Sequence, residues 1–205
     1  MKYLIGCYNK SVIVTYLGIC FSVVGMLNVH HLPLAIVCLM IAGICDMFDG
    51  KVARMCDRTE EEKEFGIQID SLADVVSFLV FPIMILYSIC DNSPFTNKYL
   101  MIAVSCISFV YVLAGVTRLA WFNITTDGHT THYKGLPVTS IAIILPLVYL
   151  IFRNCPFFVW VVLNTFVIVA FLFVYNFKVK KLKGVWYTIF TIGAIVGSAL
   201  VIWKW

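Results

Sequence analysis

The chain has 205 residues, 61% of them hydrophobic and 13% charged, with a net charge of +4 and a mean hydropathy of +0.95. A soluble domain carries about 25% charged residues, so this composition excludes a soluble globular protein and leaves a membrane domain. No segment concentrates basic residues among aromatics, which excludes a nucleic-acid-binding surface.

Apolar runs of about 18 or more residues with few charges read as membrane-spanning helices. In chain order they cover 11–28, 34–54, 68–90, 98–121, 137–152, 156–176 and 185–203. The prediction is an all-α, polytopic helical bundle forming one integral membrane domain over 1–205. Only Asn154-Cys155-Pro156 separates the fifth and sixth runs, so the count stands at six to eight. The first run is long enough to span and no small-residue cleavage site follows it, so no cleavable signal peptide is expected. With the N-terminus in the cytoplasm, twelve of the fifteen basic residues fall on cytoplasmic ends and loops, and only Lys98, Arg153 and Lys204 fall outside. That asymmetry predicts a multi-pass cell-membrane protein with its N-terminus inside.

The eight cysteines form no CxxC pair and lie mostly inside apolar runs, where they read as small apolar fillers. His30, His31, His129 and His132 have no cysteine or carboxylate suitably placed beside them for a metal site. The charge run Glu60–Glu64 reads as a solvated hairpin face.

Four aspartates do not fit this apolar background. Asp46 and Asp49 fall near the end of the second span, and Asp70 and Asp74 near the start of the third. A carboxylate at the centre of a spanning helix costs about 2.5–3.5 kcal/mol, less near the ends. At about 100° per residue, Asp46, Asp49, Gly50, Ala53 and Arg54 share an arc of about 140°, and Gly66, Asp70, Asp74 and Ser77 one of about 80°. Two carboxylate pairs on neighbouring helices then face each other. Oxygen-only ligands of this kind suit Mg²⁺ or Mn²⁺, and a pair of such ions clamps phosphoryl groups. Gly50 and Gly66, lacking side chains on the same faces, let a bulky group approach the backbone. Arg54 offers a fork to a phosphate at the pocket mouth. Intramembrane carboxylates also line ion and proton pathways, so a divalent cation transporter is the alternative reading of the acids alone.

The string Asp46-x2-Asp49-Gly50-x2-Ala53-Arg54-x11-Gly66-x3-Asp70-x3-Asp74 resembles the signature of the CDP-alcohol phosphotransferase family. The Arg54–Gly66 spacer is three residues longer than is usual there. The resemblance implies that family's fold, two divalent ions (Mg²⁺ or Mn²⁺) held by Asp46, Asp49, Asp70 and Asp74, and Asp74 as general base. It implies a CDP-lipid bound near Gly50, Ala53, Arg54 and Gly66, with Asn9, Thr15 and Thr59 assigned to the same pocket. It also implies a homodimer whose site opens at the cytoplasmic face.

Three more strings resemble the phosphatidylserine synthase branch: Asp70 to Phe78, Arg118 to Asn123 and Tyr133 to Val138. In that branch an arginine commonly stands at the position of Trp121. The likeness covers about 9–140, the expected catalytic core, and leaves 141–205 as additional spanning helices. It implies CDP-diacylglycerol and L-serine as substrates in the membrane lipid, and phosphatidylserine and CMP as products. Another acceptor, of the glycerol phosphate or inositol type, is the alternative within the family. Serine needs an anion receptor for its carboxylate. Arg118 and Lys134 are candidates, and equally read as positive anchors at headgroup level.

Overall fold

Helix α1 (Lys10–Leu27) begins where Asn9 accepts a hydrogen bond from the Val12 N–H at 3.1 Å, which caps the first turn. The structure is a computed structural model that describes residues 6–125 and 132–180, with Gly193 and Gly197, and excepting the side chains of 132–134 and 178–180. A tight turn at Asn28–His31 leads into α2 (Leu32–Met55), which carries Pro33 in its first turn, where a missing N–H costs nothing.

The buried face of α1 is a stripe of small residues: Ser11, Thr15, Gly18, Ser22 and Gly25. Bilayer helices approach closely over such stripes. A Cβ on Gly18 would stand 3.2 Å from Cβ of Cys45 on α2, and a Cβ on Gly25 would overlap the ring of Phe81. Sequence periodicity registers an apolar span here, and the structure adds that its inward face is small and polar.

The third span is one 32-residue rod in three parts. Helix α3 (Glu60–Asp74) opens with a capping box between Thr59 and Glu62. A π-helical turn at Val75–Val80 comes next, and α4 (Phe81–Asp91) completes the rod. Pro82 explains the change of geometry. It has no N–H for the carbonyl of Phe78, its α-helical partner, and its ring would crowd that carbonyl. The Phe81 N–H bonds instead to Val76 O, and the Tyr111 hydroxyl donates to Phe78 O at 2.8 Å.

Tyr111 belongs to α5 (Lys98–Thr125), and its fully buried ring packs against Phe166 and Phe173 at centroid distances of 4.9 and 5.3 Å. Both phenylalanines lie on α7 (Phe158–Val174), which comes after a 3₁₀ turn at Val138–Ser140 and α6 (Ile141–Phe152). A short ribbon, β1 (His132–Lys134) against β2 (Lys178–Lys180), joins the segments flanking these helices, with Tyr133 opposite Val179. Gly135, at φ 75°, turns the chain so that the Leu136 N–H bonds Leu172 O at 3.0 Å. A side chain there would strike Phe173 O, 2.6 Å from the Cβ position.

The chain is therefore a polytopic helical membrane protein. Four helical rods are long and apolar enough to cross a bilayer, and Val138–Phe152 and Phe158–Val174 are shorter apolar helices. These six match the first six expected spans. The seventh, 185–203, lies outside the described residues apart from Gly193 and Gly197. The expected hairpin run Glu60–Glu64 is the first turn of α3, and it carries the only salt bridge between described residues, Lys63 to Glu60 at 2.7 Å.

Replacing Tyr111 with Phe should cost about 1–3 kcal/mol, the penalty for an orphaned buried carbonyl, read as a lower unfolding temperature in detergent. The loss should shrink in a Pro82→Ala background, where an N–H at 82 serves the same carbonyl. Equal losses in both backgrounds would refute this account of the π turn.

Candidate metal centre and nucleotide cleft

α1 packs on α2 along its length and also on α3, while α2 and α3 touch one another far less. The hairpin arms are thus splayed, and α1 closes one side of the gap. The four aspartates face into it. One carboxylate oxygen each from Asp46, Asp49 and Asp70 lies within 4.8 Å of the others. The buried Asp74 carboxyl is within hydrogen-bonding reach of Asp46. Ala42, Ala73, Ser77 and Phe78 line the same narrow cleft.

Each carboxylate is positioned by its element. Asp46 and Asp49 lie one turn apart on α2, continuing the face of Ala42. Asp70 and Asp74 lie one turn apart on α3, just before the π turn. The Thr15 hydroxyl of α1 donates to Asp49 Oδ2 at 2.8 Å and also approaches Ser11 O at 3.2 Å. Two turns deeper along α1, Ser22 donates to Ser77 at 2.8 Å, tying α1 to the π turn. On the other side, Asn123 Nδ2 donates to Ser71 Oγ at 2.9 Å and fixes α5 against α3.

That contact carries Arg118 into the site. The residue is only 8% exposed, its charge acts on both Asp46 and Asp74, and its guanidinium lies 4.9 Å from the Phe122 ring centroid. Arg118 is thus buried beside the acids rather than solvated as a headgroup-level anchor would be. Lys134 is placed by its backbone in β1, opposite Lys178, and its side chain lies outside the described residues.

Of the motif's glycines, Gly50 has room on its face and Gly66 is covered by an arginine head. A Cβ on Gly50 would meet only Arg54 Nη1, at 3.7 Å, and one on Gly66 only Arg58 Nη1, at 3.3 Å. Ala53 is half-buried on the following turn of α2. Asn9 and Thr59 have structural duties as helix caps. Asn9 Oδ1 also accepts the Ser11 hydroxyl at 2.7 Å, and its buried Nδ2 has no partner among the described residues. Thr59 is exposed at the hairpin and accepts the Glu62 N–H at 3.3 Å.

Sequence reasoning missed Ser22, Ser71, Asn123 and Arg58. The signal for Ser22 was available in the alternating three- and four-residue spacing of small residues along α1. Ser71–Asn123 is a tertiary pairing with no local signature.

The chemistry of the donor set fits a hard divalent cation: oxygen-only, anionic, and converging on one small volume. Three or four carboxylates this close also repel one another unless a cation joins them. A larger cavity, of about 540 Å³, lies at the opposite end of the bundle and has no carboxylate in its lining. Its cation, Arg153, lies 5.7 Å from the Tyr149 ring centroid. The carboxylates converge in the narrow cleft and not in this larger cavity.

Residues 9–176 match the family model described as CDP-alcohol phosphatidyltransferase, so α6 and α7 fall inside the family likeness as well as the expected core. The chain is 37% identical over 133 residues to the CDP-diacylglycerol–serine O-phosphatidyltransferase of Saccharomyces cerevisiae, covering 58% of this chain and 44% of that protein. It is 35% identical over 135 residues to the archaetidylserine synthase of Methanothermobacter thermautotrophicus, covering 66% and 52%. A CDP-diacylglycerol–serine O-phosphatidyltransferase of Helicobacter pylori is 37% identical over 105 residues, covering 51% and 40%. The chain spans about half the length of these curated relatives. With the matched region running through six helices and the acid cleft between the first three of them, the chain belongs to the CDP-alcohol phosphatidyltransferase family.

Proposed function

We propose that this protein transfers a phosphatidyl group from CDP-diacylglycerol to the hydroxyl of L-serine, releasing CMP. The observation that carries the reading is the convergence of Asp46, Asp49 and Asp70 within 4.8 Å, with Asp74 beside them, next to Gly50 and Gly66, whose faces meet only the heads of arginine side chains among the described residues. The names of the relatives support serine as acceptor, because they share it while their lipids differ.

Asp46, Asp49, Asp70 and Asp74 would hold two divalent ions, Mg²⁺ or Mn²⁺, which supply charge neutralisation at the donor's diphosphate. Gly50, Ala53 and Gly66 leave room for the nucleotide against the two helix backbones. Arg54, on an exposed turn of α2, reaches a phosphate without burying its charge. Arg118 is placed for the serine carboxylate, and Phe122 supports its guanidinium. The serine oxygen attacks the lipid-bearing phosphorus, its proton passes to the Asp74 carboxylate, and the bond to the CMP oxygen breaks. Asp74 is suited to this role by being buried among the site groups and held at the end of a rigid α-helical segment.

The acids lie at the same end of the bundle as the α2–α3 hairpin, with Lys51, Arg54, Arg58 and Lys63 around it. Basic residues prefer the cytoplasmic side, so we read the site as opening to the cytoplasm of a cell membrane.

A CMP-release assay with CDP-diacylglycerol and a panel of serine, glycerol phosphate and inositol should give product with serine alone. Product with another acceptor only would overturn the assignment. Chelation should abolish activity, and Mg²⁺ or Mn²⁺ should restore it. Full activity after exhaustive chelation would remove the acid cluster from the reaction.

Asp74→Asn should lower turnover by about 10²–10⁴-fold, the usual worth of a general base, while the protein stays monodisperse in detergent. Thr15→Val should act more mildly, raising the Mn²⁺ concentration for half-maximal activity about tenfold, as loss of a ligand-orienting hydrogen bond does. An unchanged metal requirement would reduce Thr15 to a packing residue.

A further inference from the structure

The hairpin between α2 and α3 carries an arginine that the chemistry above leaves unused. Arg58 stands beside Asp57 and shortly before Glu60, Glu61 and Glu62, yet it makes no salt bridge with any described residue. Its guanidinium lies over Gly66, with Nη1 3.3 Å from the position a Cβ would take. Its Nε is shut off from solvent and has no hydrogen-bond partner among the described residues. Surface arginines beside glutamates ordinarily pair with them or remain hydrated. Here the group is held against bare helix backbone with an N–H unspent.

Arg54 makes a similar approach on the opposite arm, 3.7 Å from the Cβ position of Gly50. Each of these glycines has a guanidinium nitrogen, and no other non-local atom, within 4 Å of that position. Gly66 precedes Asp70 by one helical turn, about 6 Å along the axis at 1.5 Å per residue. A nucleoside whose diphosphate is held at the acids would come within reach of Gly66 and the Arg58 head on extending one turn toward the hairpin.

Resting on the CDP-lipid reading above, we infer that Arg58 is a specificity-determining residue that reads the cytosine base of the donor. The guanidinium presents side-by-side N–H donors in a planar fork. Cytosine offers two adjacent acceptors, O2 and N3. Uracil offers O2 but carries a proton on N3, so the same fork meets a donor there. The Nη1–H and Nη2–H of Arg58, which make no salt bridge with any described residue, are the side-by-side pair that cytosine would satisfy, while the enclosed Nε holds the head in place over Gly66.

The test uses the full chain in detergent micelles with Mg²⁺ and compares CMP with UMP, both as inhibitors of CDP-diacylglycerol turnover and as protectants against thermal unfolding. The wild-type protein should prefer CMP by about tenfold or more, the discrimination a bidentate base contact gives. Arg58→Ala should lose that preference and weaken nucleotide binding, with the KM for serine unchanged. Arg58→Lys keeps the charge without the fork, so it should recover nucleotide affinity but not the preference for CMP. A merely structural or electrostatic role predicts the reverse, with Arg58→Lys restoring wild-type discrimination, and that result would overturn the inference. Retention of the CMP preference in Arg58→Ala would overturn it too. If Arg58→Ala fails to fold, the lysine variant decides alone. Wild-type protein that releases no CMP with any acceptor brings down the donor assignment itself. Active wild-type protein whose variants discriminate equally well brings down only the role of Arg58.

Discussion

Carboxylates brought together inside a bundle of bilayer helices are the constraint on which this structure turns. Three oxygens within 4.8 Å of one another repel by roughly 3–4 kcal/mol per charged pair at an effective dielectric of about 20. A fold driven only by apolar burial would separate them. Here α1 holds α2 and α3 at a spacing that leaves a cleft, and the groups facing that cleft from other helices are chosen for charge. The Thr15 hydroxyl donates to Asp49, and Arg118 sets a buried cation beside Asp46 and Asp74. One hydroxyl and one guanidinium do not balance four acids, so the site is built for further positive charge.

The backbone features around the cleft answer that need. Ser11, Thr15, Gly18, Ser22 and Gly25 keep the α1 surface thin enough to reach the acid pair of α2. The π turn begins one residue after Asp74, and the wider turn rotates α4 relative to Asp70 and Asp74. Its freed carbonyl is met by Tyr111 from α5, and the ring of Tyr111 is packed in turn against α7. The same helix carries Arg118 two turns further on. Support for the acid-bearing rod and delivery of the balancing cation are thus two consequences of one packed helix.

Much of this was legible in the sequence because helical faces obey a fixed period. Asp46, Asp49, Gly50, Gly66, Asp70 and Asp74 fall on two facing arcs by spacing alone, and the six described membrane helices lie where hydropathy places them. What was not legible depended on third parties. Nothing local reveals that Thr15 donates to a residue thirty-four positions away, or that Asn123 grips Ser71. Hydropathy treats Val75–Val80 as ordinary helix, because the π turn is a response to Pro82 and Tyr111 together. The longer Arg54–Gly66 spacer read as extra hairpin. Thr59 and Glu62 instead cap a helix early, so much of the added length becomes α3 and stands out as an acidic turn. A basic residue at a helix end reads equally well as anchor or ligand, and the sequence does not reveal that Arg118 is buried beside Asp46 and Asp74.

Depth is the remaining piece. Asp49 lies six residues before the end of α2 and Asp70 ten residues after the start of α3. At 1.5 Å per residue Asp49 and Asp70 sit about 9 and 15 Å in from the hairpin ends of their helices, with Asp46 and Asp74 about one turn deeper. A lipid whose tails stay in the bilayer presents its phosphates at headgroup depth and cannot carry them much farther without dragging acyl chains into water. A water-soluble acceptor cannot descend to the bilayer centre. On the proposed reading, acids partway down a splayed hairpin, walled by α1 and opening toward a polar loop, would meet lipid donor and water-soluble acceptor where each can reach. The same acids at mid-membrane would suit an ion pathway. In the large cavity at the other end, which has no carboxylate in its lining, neither metal nor diphosphate would be held.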